Sequence, residues 1–189
     1  IMRRRQRQMC IRDRFLLQSL DTQAKEELHN KAVVWYEKQP SSSQISLELI
    51  YHLISSSRHE DATSIIIDEG RDLVKEGHIE LLGLLESIDT KSVNAEGACR
   101  IDRLRGEVLA LLGRFDEAED AFNQARPPAE AAGLKDVIAD ILSNLADIAL
   151  KRGDSESSLG MHRKALELFI ELKDAVGAAR SYNNMGYIL

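Results

Sequence analysis

Residues 103–125, RLRGEVLALLGRFDEAEDAFNQA, align without a gap on residues 143–165, SNLADIALKRGDSESSLGMHRKA, at an offset of forty. The offset sets Gly106 on Ala146, Gly113 on Gly153, Ala118 on Ser158 and Ala125 on Ala165. Forty residues further, NNMGYIL (183–189) brings Gly186 under Ala146 and Ile188 under Ile148. Self-similarity at a fixed interval marks stacked copies of one supersecondary unit, each too small to bury its apolar face alone.

Each copy reads as two helices. Leu109 and Leu112 are expected to face inward from the first, where a small residue (Gly106, Ala146, Gly186) admits a close neighbour. Gly113 and Gly153 close that helix, since glycine adopts left-handed backbone at little cost. In the second helix Ala118, Phe122 and Ala125 recur at spacings of four and three, which is one face. The second copy carries Ser158 and His162 in place of Ala118 and Phe122, which weakens that layer. Pro127 and Pro128 predict a break near Arg126, because proline lacks a backbone donor and crowds the preceding turn. A short helical turn restarts there, proline being suited to a first helical position.

The small-small-aromatic pattern, with GRFDEA at the turn, resembles the tetratricopeptide repeat. The forty-residue period is similar to the long-helix variety of kinesin light chains and bacterial signalling regulators. The resemblance covers residues 97–189, two full units and half of a third. It implies an all-α fold, a right-handed α-solenoid of antiparallel helix pairs, with a concave groove lined by the first helix of each unit. Carried over, that lining is Arg100, Arg103 and Glu107; Asp140, Ser143, Asn144 and Asp147; and Arg180, Asn183, Asn184 and Tyr187. The implied ligand is a protein or peptide. Asn144 and Asn184 could bond an extended backbone, and Arg100, Arg103 and Arg180 could hold a carboxylate.

Upstream, Asp21 is placed to cap a helix with Ala24, Leu28, Ala32 and Trp35 on one stripe, stopped before Pro40. Ser41 and Gln44 form a capping-box pattern ahead of Ile45, Leu49 and Leu53. A third helix turns Ala62, Ile65, Ile66 and Leu73 inward and ends at Gly77, a shorter one follows in HIELLGLLESI, and DTKSVNAEG (89–97) reads as a linker. LHNKAVVWYEKQ followed by ELIYHLISSSRHEDATSIIIDEGRDLVKEG resembles the stretch after the winged helix in signal-transduction ATPases with numerous domains, a family that includes the maltose-regulon activator. That resemblance makes residues 15–90 a helical region behind a winged helix, of which RFLLQSL (14–20) would be the last piece.

The opening of the chain differs from the rest. Four of the five positions from 3 to 7 are arginine. An Arg-rich start can be a targeting peptide or a basic arm for nucleic acid. Arg4 to Asp13 also match one frame, CGT CGG CAG CGT CAG ATG TGT ATA AGA GAC, of a transposase sequencing adapter, so residues 1–13 are expected to be non-native. Without them the formal charge falls from −6 to −10, which phosphate backbones repel, so direct nucleic-acid binding is not expected. Cys99 is then the lone thiol, fitting a reduced, cytoplasmic setting.

No constellation of catalytic residues emerges. Gly70 to His78, GRDLVKEGH, lacks the Gly-Lys-Ser/Thr of a phosphate cradle. His52, His59 and His78 lack metal-ligand spacing, so no metal or cofactor is expected. Cys99 has no local base and reads as a small buried residue rather than a nucleophile. Proline is scarce and helix formers abound, and no apolar run is long enough to span a bilayer. The expectation is a non-enzymatic, protein-binding scaffold, the sensory or interaction arm of a larger ATP-dependent regulator. A stand-alone tetratricopeptide adaptor and a helical accessory domain of an enzyme remain open beside it. Met185, Ile188 and Leu189 close a half unit, so self-association through that end is also expected.

Overall fold

The computed structural model describes residues 20–188. The adapter-like stretch 4–13, most of RFLLQSL and Leu189 lie outside the described residues. Among those described, the chain is all-helical: nine α-helices and one 3-10 turn, with no strand. It forms two compact units, Ile1–Arg58 and His59–Leu189.

The first unit holds α1 (Thr22–Tyr36) and α2 (Ser43–Ser55). Asp21 caps α1 as expected, its carboxylate accepting from the Ala24 N–H at 2.7 Å. The buried face is not the expected stripe. Leu28 and Trp35 are exposed, while His29 and Val33 are buried. The contact with α2 is made by rings instead: His29 meets His52, and Tyr36 stacks on His52. In α2 the cap is Ser42 rather than Ser41, accepting from the Ile45 N–H, and Gln44 donates to Glu48 instead of closing a box. Leu47, Ile50 and Leu53 are buried, and Ile45 and Leu49 only partly so.

The second unit begins with α3 (His59–Lys75), α4 (Leu81–Ser87) and the 3-10 turn Thr90–Ser92. Ala62, Ile66 and Leu73 are buried as expected, and Gly77 ends α3 in the left-handed region. Then come α5 (Ala95–Leu111), α6 (Phe115–Ala132), α7 (Lys135–Lys151), α8 (Ser155–Glu171) and α9 (Ala175–Ile188). The starts of α5, α7 and α9 lie forty residues apart, as do those of α6 and α8. Gly113, Gly133, Gly153 and Lys173 all take φ between +58° and +84°, at twenty-residue intervals. After each, the next N–H reaches back to a carbonyl five residues earlier: Arg114 to Leu109, Leu134 to Ala129, Asp154 to Ala149 and Asp174 to Phe169, at 2.8–3.0 Å. These are four copies of the Schellman turn.

From α4 onward each helix packs against the next, and α3, α5, α7 and α9 also touch in a row. Gly97 approaches Thr63, and Gly70 approaches Leu104. Both pairs are 34 residues apart in the same order, so α3 runs parallel to α5 as an earlier member of the row. Gly106 admits the Phe122 ring so closely that a Cβ there would lie 2.6 Å from it. Gly177 admits Phe169 in the same way. Phe169, Leu142, Ala139 and Ala165 form one buried apolar cluster of this unit.

Two expectations are corrected here. α6 runs unbroken through Pro127 and Pro128. Both prolines, with Asn123 and Gln124 four residues before them, are exposed, so water can reach the side of the helix that loses its donors. Ala125 and Ala129 on the other side stay buried and hold the helix in place. Leu112 is exposed, the inward positions being Val108 and Leu109. The layer at Ser158 and His162 is fully buried but polar: Ser158 Oγ and both His162 ring nitrogens lack hydrogen bonds. His162 Nε2 lies 3.2 Å from Asp147 Oδ1, outside hydrogen-bond alignment.

Candidate binding groove

One face of the row α3–α5–α7–α9 encloses a groove of about 700 Å³. Its charged centre is Asp140 on α7, a buried carboxylate. Arg71 from α3 donates to Asp140 Oδ2. Arg103 from α5 lies 3.6 Å from the same oxygen, and Arg180 from α9 lies 3.5 Å from Oδ1. A carboxylate out of water needs its lone pairs met by charge or hydrogen bonds. Here arginines from three other helices meet it, so a single side chain links all four helices of the row.

Glu107 is the second anion, held by Arg103 and within 3.5 Å of Asn144 Nδ2. Asn144 also donates to the Asp140 carbonyl at 2.9 Å. Asp147 accepts from Asn184 at 2.8 Å. Lys151 sits over the Phe115 ring, 5.3 Å from its centroid, and Arg180 over that of Phe169 at 5.8 Å. Beside these charges the lining is apolar, with exposed Leu111 and Val176 on facing elements.

Of the predicted residues, Glu107, Asp140, Asn144, Asp147 and Arg180 line the groove. Arg103 lies buried beneath it, and Ser143 is buried with no hydrogen bond to its hydroxyl. Arg100 is engaged by Asp136 at 2.6 Å and Glu96 at 3.0 Å. Burial alone would raise the Asp136 carboxyl, but the Arg100 guanidinium outweighs it and holds that carboxyl below its usual range. Asn183 and Tyr187 belong to a separate shallow depression with Tyr182 and Gly186. The three arginines expected to hold a ligand carboxylate therefore lie beside the protein's own acids.

Arg71, Val74 and Lys75 from α3, and Leu111, Phe115, Lys151 and Val176, were missed. Arg71 lies on α3, ahead of the forty-residue repeat, so that register does not reach it.

No protein-family model matches the chain, and no curated protein does. A solved structure does. The chain is similar to the crystal structure of BtubC (BKLC) from P. vanneervenii, at a TM-score of 0.56 and 19% identity over 90% of this chain. It spans 66% of that protein's length. At this identity the likeness shows a shared helical fold and nothing about ligand or activity.

The remaining chemistry-bearing residues lie apart from the groove. Cys99 is buried, and burial, then Asp102, pushes its thiol up, away from the reactive thiolate. His78 is held by Glu80 at 2.9 Å and Glu76 at 3.4 Å. Among the described residues no three or more His, Cys, Asp or Glu side chains gather to hold a metal ion, and no helix is long and apolar enough to cross a membrane.

Proposed function

We propose that this chain is a protein- or peptide-binding scaffold and that the groove on the α3–α5–α7–α9 row is where the partner lies. On this reading the second unit is a right-handed, tetratricopeptide-like α-solenoid, its role is binding rather than catalysis, and it works in the cytoplasm. The observation that carries it is the groove itself: parallel helices at regular intervals present charged, amide and apolar side chains along one open wall. An extended segment would use the exposed Leu111 and Val176 as apolar contacts. The Asn144 and Asn184 oxygens would accept from its backbone.

The chain is further proposed to be the interaction arm of a larger ATP-dependent regulator, a reading supported by the helix order of residues 15–90. In such a protein, partner binding acts only if the groove differs between two states of the whole, since an equal affinity for both shifts nothing.

The test is selection of random dodecapeptides on the immobilised full chain, followed by fluorescence anisotropy of an enriched peptide. Leu111→Asp and Val176→Asp, both at exposed positions, are expected to weaken binding about tenfold or more, about 1.4 kcal/mol. Leu28→Asp, exposed in the first unit, should leave it unchanged. If no peptide is enriched, or binding ignores both groove substitutions, the reading fails.

A further inference from the structure

Outside the groove, the first unit joins two imidazoles. His29 on α1 and His52 on α2 bring Nδ1 to within 2.8 Å of Nδ1. They sit among rings, with Tyr36 stacked on His52 and Tyr51 edge-on to both histidines. His29 is nearly buried, and Tyr51 forms the open side of the cluster.

A hydrogen bond between two Nδ1 atoms requires one ring to donate and the other to accept, so the accepting ring is neutral, and when both are neutral they are different tautomers. Burial favours this state. It lowers His29, and burial with the neighbouring His29 brings His52 down to about 4. At neutral pH the cluster therefore holds imidazoles ready to act as ligands without losing a proton. Neither Nε2 has a hydrogen bond among the described residues. The donor ring can thus move its proton to Nε2 at the cost of the Nδ1···Nδ1 bond alone, which frees both Nδ1 lone pairs.

The spacing is that of an ordinary hydrogen bond and also lies near that of two nitrogens on one ion. Two imidazole nitrogens each about 2.0 Å from one ion lie roughly 2.8 Å apart when they subtend a right angle, and roughly 3.3 Å apart at the tetrahedral angle. The observed 2.8 Å fits the right angle. Right-angled nitrogen pairs suit divalent nickel and copper, and the tetrahedral angle suits zinc.

We propose that His29 and His52 form a two-histidine site for a divalent transition-metal ion of square or octahedral preference, nickel or copper, with water completing its shell. Among the described residues no third His, Cys, Asp or Glu joins the pair, so two protein nitrogens are the proposed ligands and the affinity is modest. Binding joins α1 to α2 through the ion. It exchanges one Nδ1···Nδ1 hydrogen bond for two metal–nitrogen bonds, with no net proton release.

The test titrates nickel chloride into the chelator-stripped full chain, followed by calorimetry and by the fluorescence of Trp35, which lies against Tyr36. One equivalent is expected to bind with a dissociation constant on the order of 10 µM, more tightly than zinc, and with a heat independent of buffer ionisation. His29→Gln and His52→Gln should each weaken it at least tenfold while helix content by circular dichroism stays unchanged. His59→Gln and His78→Gln should leave it as it is. For a variant that loses helix content, the nitrogen hyperfine pattern of the copper-loaded parent, expected to show two imidazoles, decides. Absence of one-equivalent binding, binding that survives both Gln substitutions, or a single-imidazole pattern overturns the proposal.

Discussion

Arg71 and Asp140, sixty-nine residues apart in the chain, meet in a charge-assisted hydrogen bond on the groove wall. Arg71 is half-exposed, whereas Asp140 is buried and also faces Arg103 and Arg180. The interaction ties the first helix of the second unit to a helix two places along the row.

Removing Asp140 leaves three guanidiniums without their shared anion. Losing one partner of a buried pair costs about 3–5 kcal/mol. Arg103 keeps Glu107, and Arg71 and Arg180 can turn to water. Asp140→Ala is therefore expected to destabilise the chain by about 2 kcal/mol, and Arg71→Gln by under about 1 kcal/mol. Urea unfolding of both variants and their combination should show a coupling above about 0.5 kcal/mol, and simple additivity would mean that the link carries no energy.

The two glycines of the small-residue position should respond oppositely. At Gly106 a methyl group meets the buried Phe122 ring at 2.6 Å, so Gly106→Ala should cost about 1–3 kcal/mol through overpacking. Shortening Phe122 to Leu in the same chain should recover part of that loss. At Gly186 nothing lies within 4 Å, so Gly186→Ala should stabilise by up to about 1 kcal/mol through helix propensity. Thermal melts of the three variants separate these signs.

Lys173 holds a left-handed conformation that glycine holds at the three equivalent turns. A non-glycine residue there costs roughly 1–2 kcal/mol, and glycine's extra freedom in the unfolded chain returns about 0.4–1 kcal/mol of any gain. Lys173→Gly should thus raise stability by about 0.5 kcal/mol, and Gly153→Ala should lower it by about 1 kcal/mol. A drop in melting temperature for Lys173→Gly would contradict this account of the turn.

Pro127 and Pro128 lie inside α6 at a cost of about 3 kcal/mol each in an ideal helix. Their restriction of the unfolded chain offsets part of this. Replacing both with alanine should raise stability by about 2 kcal/mol, read as a higher urea midpoint with an unchanged slope. No change would mean that the helix has adapted fully to the pair.

The prolines also show where reading along the chain stops working. Their effect on one turn is local and was expected to break the helix. The buried faces of Ala125 and Ala129, set by neighbouring helices, overrode it. In α1, Leu28 and Trp35 had the apolar character for a core stripe, but the His29–His52 and Tyr36–His52 contacts turned that helix the other way.

The chain's own order of residues determined the forty-residue interval, the helix starts that follow it and the glycine turns at Gly113 and Gly153. These depend on backbone preferences acting within a few residues. Only the tertiary structure decided that Arg71 joins the groove, that Arg103 and Ser143 sink below it, and that the acids facing the arginines are internal. Such pairings depend on distances through space between helices, and spacing along the chain fixes a side chain's height on its helix but not the partner it meets across the row.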